Sequence, residues 1–146
     1  MFTTVPDLGI SETPDYWFLA EPLVWVSPGL RVQIPKGFKT DLASIPAVIR
    51  NLLDVNGRSR CPAILHDWLY SSGILTREDA DEHLRLALSE YGESPVTARV
   101  YWLGVRAGGW KAWNDHRAKC ITASDFASPK DYYTYAWSEP VWSTAP

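Results

Sequence analysis

Cysteine is scarce: only Cys61 and Cys120 occur in 146 residues, and neither belongs to a C-x-x-C pair, which excludes a zinc ribbon. Reduced, buried thiols are expected rather than a disulfide. No apolar run approaches the roughly 20 residues that a spanning helix needs, so no membrane span is expected. The opening stretch, MFTTVPDLGISETPD, holds neither a basic nor an apolar run. That predicts no signal peptide, and synthesis and folding in the cytoplasm. Positive charge is also short: 14 Lys and Arg face 17 Asp and Glu, for a net charge of −3. No global basic field is available to nucleic acid or an anionic membrane. Locally, Arg106, Lys111, Arg117 and Lys119 could still form a basic patch. A P-loop, G-x-G-x-x-G, G-x-S-x-G and H-E-x-x-H are all missing. An NTPase, a serine hydrolase of known pattern and a zincin are therefore disfavoured.

The length fits one domain that can bury a core without staples. Hydrophobic residues at 46 % and charged residues at 21 % are ordinary for a globular chain, so most of it should fold. Aromatics are the excess. Eight Trp and seven Tyr are more than one core of this size needs. Both residue types suit cores and interfaces, because each joins apolar bulk to a polar handle.

Residues 1–15 read as an irregular lead-in broken by Pro6, Gly9 and Pro14. Strand-like runs follow at 16–19 and 23–26, then a Pro28-Gly29 turn, then Leu30, Val32 and Ile34 alternating with Arg31 and Gln33. These predict a small antiparallel sheet. Asp41, Ser44 and Pro46 mark a turn and a short helix to about 53, and Asn56-Gly57 a turn. A helix from Pro62 to about Tyr70 ends at Ser71-Ser72-Gly73. Thr76 reads as the N-cap of the next helix, with Ala80, Leu84, Ala87 and Leu88 on its core face and Gly92 closing it. Ser94-Pro95 opens a third helix, whose stripe is Val96, Val100, Leu103 and Ala107. Gly108-Gly109 interrupts it before Trp110 and Trp113 resume helix to about 119. The fold class is α+β: a small antiparallel sheet in the N-terminal third, packed on three to four helices. Residues 1–120 form the domain. Residues 121–146 are an irregular strap or docking segment, with Tyr132, Tyr133, Tyr135, Trp137 and Trp142 as its partner-binding side chains.

The chemistry-bearing residues cluster in TDLAS (40–44), HDWLY (66–70) and REDAD (77–81). His66 and Tyr70 stand four apart and share a helix face, while Asp67 points about 100° away. Ile64, Leu65, Trp68 and Leu69 surround them, so the polar groups must find partners. Asp81 can pair with Arg77 within its helix, or receive the His66 imidazole N–H and raise its basicity. Asp41 either caps backbone amides or adds an oxygen ligand beside the His66–Asp67 helix. As a catalytic set, the candidates are His66, Asp67, Tyr70 and Asp81. As a metal set they are Asp41, His66 and Asp67, suited to a divalent cation such as calcium or zinc. His66 would also serve as a general base without metal. His83 and His116 read as surface residues, and Trp110-Lys111-Ala112-Trp113 is only a weak base-stacking motif.

Taken in order, Gly37-Phe38-x-Thr40-Asp41-Leu42-Ala43-Ser44-x-Pro46, Ala63-Ile64-Leu65-His66-Asp67-Trp68-Leu69-Tyr70, Arg77-x-x-Ala80-Asp81 and Tyr101…Val105-Arg106-x-Gly108…Trp113 resemble a phage and prophage family, domain of unknown function 1353. The likeness spans roughly residues 25–113. That family is often encoded among late genes for virion and tail proteins. The resemblance implies a viral origin and a motif cluster at Asp41, His66, Asp67, Tyr70, Arg77 and Asp81. Locally, His66-Asp67-x-x-Tyr70 also resembles the catalytic helix of phospholipase A2. There the Asp binds calcium, the His is the base for water, and the Tyr contacts a carboxylate that Asp81 would supply. The glycine- and cysteine-rich calcium loop and the disulfide framework of that family are missing.

Three readings follow. The first is a virion or tail component, docked to other phage structural proteins in a homo- or hetero-oligomer, with the polar cluster locking the fold. It would be made in the host cytoplasm and carried in the particle, with no nucleic-acid partner. The second is a metal-assisted hydrolase, which requires the cluster to line a cleft. The third is an inhibitor of a host enzyme.

Overall fold

The computed structural model describes residues 1–3, 7–10, 17–40 and 59–118. Five strands precede four helices among them: β1 (Leu8–Ile10), β2 (Trp17–Leu19), β3 (Leu23–Ser27), β4 (Leu30–Ile34), β5 (Lys39–Thr40), α1 (Arg60–Ser72), α2 (Arg77–Glu90), α3 (Pro95–Gly108) and α4 (Trp110–Ala118). The fold is α+β. The strands form two small antiparallel sheets rather than one, in the orders β1-β2-β5 and β3-β4.

The hairpin follows from its pattern. Leu30, Val32 and Ile34 are buried and Arg31 and Gln33 half-buried, so one face of β4 meets the core. The register pairs Leu23 with Ile34 and Ser27 with Leu30 across the Pro28-Gly29 turn. The lead-in holds more order than expected. Residues 8–10 pair with β2, and Phe2 bridges to Trp25. A three-residue strand carries almost no signal of its own, and its cross-strand partner decides it.

Helix α1 runs through the middle. Eleven consecutive residues, Cys61 to Ser71, are buried, so it is enclosed on every side. Gly73 ends it at φ 61, a left-handed cap that costs a side-chain-free residue little, and its N–H donates to the Leu69 carbonyl at 3.1 Å. Thr76 and Ser94 cap α2 and α3 by accepting from the amides of Asp79 and Thr97. The core joins Leu19, Leu23, Trp25 and Ile34 from the sheets, and Phe38 just before β5, to Ile64, Leu65, Trp68, Leu69 and Leu84 from the helices. Phe38 meets Trp68 edge-on, with ring centroids 5.2 Å apart.

The stripe on α2 is buried as expected. The stripe on α3 is not: Val96, Val100 and Leu103 are 74, 43 and 52 % exposed, and Ala107 is exposed too. The buried residues are Ala98, Tyr101 and Val105. Two apolar stripes compete on this helix, and α2 together with Gly109 selects the one that fits closely. The short helix around 46–53, the Asn56-Gly57 turn, Lys119, Cys120 and the aromatic segment lie outside the described residues. Cys61 is a buried free thiol whose Sγ–H donates to Tyr91 Oη at 3.1 Å, and burial pushes its pKa up.

Candidate functional site: a buried polar cluster

Asp81 is the hub. It projects from the second turn of α2, is fully buried, and uses both carboxylate oxygens. On α1, the four-residue spacing puts His66 and Tyr70 on one face, and both reach the same oxygen. His66 Nε2 lies 2.9 Å from Asp81 Oδ1, and Tyr70 Oη–H donates to it at 2.6 Å. The imidazole and phenol rings pack at 4.1 Å between centroids. The other oxygen, Oδ2, faces Arg106 Nη1 from α3 at 3.2 Å and Arg77 Nη1 at 3.5 Å. The helical Arg77 pair and the His66 contact therefore coexist on different oxygens. Arg77 also donates to the carbonyls of Val105 and Arg106, at 3.3 and 3.2 Å, satisfying acceptors at the C-terminal end of α3. One carboxylate thus ties three helices together.

Asp67 points the other way, as its 100° offset requires. It is 3 % exposed and accepts from the Thr40 hydroxyl at the end of β5. Thr40 is the first residue of TDLAS, so one described residue of that motif joins the other two motifs at α1. Asp41 and Ser44 fall outside the described residues. The proposed metal set Asp41, His66 and Asp67 is therefore only partly placed, and its two described members turn to different partners. Among the described residues, no group of three or more His, Cys, Asp or Glu side chains could hold a metal ion.

Tyr70 is gripped from behind as well. Trp113 meets its ring edge-on at 5.2 Å, and Arg117, stacked 4.7 Å from the Trp113 ring, donates to the Tyr70 and Ser71 carbonyls. A Cβ on Gly109 would lie 2.5 Å from Tyr70 Oη, so this position must be bare for α3 and α4 to close on the cluster. Of the four residues that could form a basic patch, the three described ones are engaged: Arg106 faces Asp81, Arg117 the α1 carbonyls, and Lys111 pairs with Asp115. His83 and His116 are half-buried rather than on the surface, and His83 Nδ1 lies 3.5 Å from Ser27 Oγ. Sequence reasoning missed Arg106, Gly109 and Arg117 as parts of the site. Nothing in local spacing links α3 or α4 to Asp81. The partner-binding residues Tyr132, Tyr133, Tyr135, Trp137 and Trp142 lie outside the described residues.

Two features bear on reactivity. His66 Nδ1 is buried and has no hydrogen-bond partner among the described residues. His66, Tyr70 and Asp81 are at 0 % exposure, and neither of two grooves among the described residues is lined by them.

Burial pushes the Tyr70 phenol above its ordinary value near 10, and the neighbouring Asp81 carboxylate adds to this. Above that pH the unfolded chain loses a proton that the folded chain keeps, so folding stability falls as pH rises. Urea midpoints should drop from pH 8 to roughly pH 11, and Tyr70→Phe should make the drop shallower. An equally steep drop in the variant would contradict the contact.

The chain belongs to a family of proteins of unknown function (DUF1353), whose model matches residues 17–105. Comparison with curated proteins finds no match, and comparison with solved structures finds none. No described helix is long and apolar enough to cross a membrane.

Proposed function

We propose that this chain is a docking component of a phage particle, its virion or tail, and that the polar cluster serves to lock the helices. The outward face of α3 carries this reading. Val96, Val100 and Leu103 recur on one face, and Trp110 follows at 58 % exposure. Single exposed apolar residues are ordinary, but a contiguous stripe marks a surface that meets another protein. The phage setting rests on the resemblance of the motifs. The buried cluster fits a locking role: four donors converge on one desolvated carboxylate, and neither of the two grooves noted above is lined by His66, Tyr70 or Asp81. In the full chain, Leu103→Asp should leave stability within about 0.5 kcal/mol, because the residue is exposed. It should cut incorporation into purified particles roughly tenfold, equivalent to ~1.4 kcal/mol of binding. Unchanged incorporation would overturn the reading.

A metal-assisted hydrolase is the second reading, and one observation favours it. With Nε2 held by Asp81, the unpartnered His66 Nδ1 has the arrangement of a general base. The full burial of His66 weighs on the other side. Metal-dependent melting separates the two.

A further inference from the structure

The apolar face of α3 adjoins a groove of about 570 Å³ between α2 and α3, lined by Glu82, Arg85, Pro95, Val96, Arg99 and Trp102. Val96 belongs to both stripe and groove. The groove has a definite chemistry. Pro95, Val96 and Trp102 give it apolar and aromatic surface beside the charged Glu82, Arg85 and Arg99. Arg85 is engaged by Glu82 through Nε at 3.1 and 3.0 Å, whereas Arg99 is exposed and has no ion pair among the described residues. Trp102 Nε1–H is shielded from solvent and has no acceptor among them. An occupant should therefore bring aromatic rings, negative charge and hydrogen-bond acceptors, and no competing cation.

One segment of this chain has that composition. Residues 131–142 read DYYTYAWSEPVW: Tyr132, Tyr133, Tyr135, Trp137 and Trp142, two carboxylates in Asp131 and Glu139, and no Lys or Arg. The segment is tethered to the same body: the described residues of α4 reach Ala118, and 12 residues, 119–130, separate them from it in the sequence. Extended, such a connector spans up to ~40 Å at about 3.3 Å per residue, whereas the whole of α3 is only ~21 Å long. A tether of this length raises the segment's local concentration at the face, which favours the chain's own segment over a second copy at micromolar concentration.

We propose that residues 131–142 of the same chain occupy the α3 face and its groove in the free protein, so that docking exchanges this self-contact for a partner. This rests on the docking reading, and adds to it a device that keeps free copies from associating through the stripe before assembly.

The test is a photo-crosslink in the full chain, with a benzophenone amino acid replacing Val100, which is 43 % exposed and outside the core. Irradiation of dilute protein should give a product of single-chain mass whose crosslinked peptide falls within residues 131–142. Trp137→Ser combined with Trp142→Ser should lower its yield at least fivefold. Crosslinks that join two copies, or that never reach residues 131–142, would overturn the proposal. The docking reading is judged separately by particle incorporation of Leu103→Asp. Loss of incorporation without a tail crosslink would leave docking standing and remove only the self-contact.

Discussion

Asp81→Ala should cost roughly 3–5 kcal/mol of folding stability, read from urea unfolding. Removing the carboxylate leaves the His66 N–H and the Tyr70 O–H facing each other with no acceptor, in a site at 0 % exposure. It also frees Arg77 and Arg106, whose side chains are 23 and 28 % exposed, from the charge that holds them across α2 and α3. The partly exposed arginines can turn to water, so most of the cost comes from the buried imidazole and phenol. The present ion pairs need not stabilise the fold relative to an apolar core. Breaking them from one side is what is expensive. Against a typical total of about 5–15 kcal/mol, the variant should be close to unfolding. A loss below about 1 kcal/mol would mean that Asp81 is not the hub.

The second large effect is expected at Gly109. Its φ is −75, so backbone strain is not the issue. The constraint is space: a Cβ there would lie 2.5 Å from Tyr70 Oη and 2.6 Å from the Val105 carbonyl oxygen. Gly109→Ala must either push Tyr70 off Asp81 or open the junction between α3 and α4, at about 2–3 kcal/mol. Tyr70→Phe removes the hydroxyl that the methyl would strike. The cost of Gly109→Ala should therefore shrink by about 1 kcal/mol in a Tyr70→Phe background, a coupling that unfolding of the two single variants and the double variant measures. Additive costs would contradict the described contact.

These positions also show what the sequence makes legible. The His66, Tyr70 and Asp81 triad was accessible because helix periodicity fixes which side chains share a face, and because polar groups within an apolar helix need partners. The same periodicity put Asp67 on another side, where it meets Thr40. Caps at Thr76 and Ser94 were readable from local chemistry alone. The rotation of α3 was not. Both Val96–Val100–Leu103 and Ala98–Tyr101–Val105 make apolar stripes, and hydropathy alone favoured the larger residues. The close approach of α3 to α2, Arg77 bonding to the carbonyls of Val105 and Arg106, and the bare Gly109 against Tyr70 decide otherwise. The pairing of Arg106 with Asp81 was not legible for the same reason: the two lie 25 residues apart, and no local rule pairs them. β1 escaped because its order comes from β2.

The central claim is that the cluster locks the fold while the outer face of α3 meets the partner. Thermal melting of the full chain with and without calcium or zinc, beside Asp67→Asn, tests it most directly. A ligand that binds only the folded state must raise the melting temperature. The account predicts the same melt with and without either metal in the wild-type chain. A metal-induced rise that vanishes in Asp67→Asn would contradict it and return the chemistry to His66, Asp67 and Asp81.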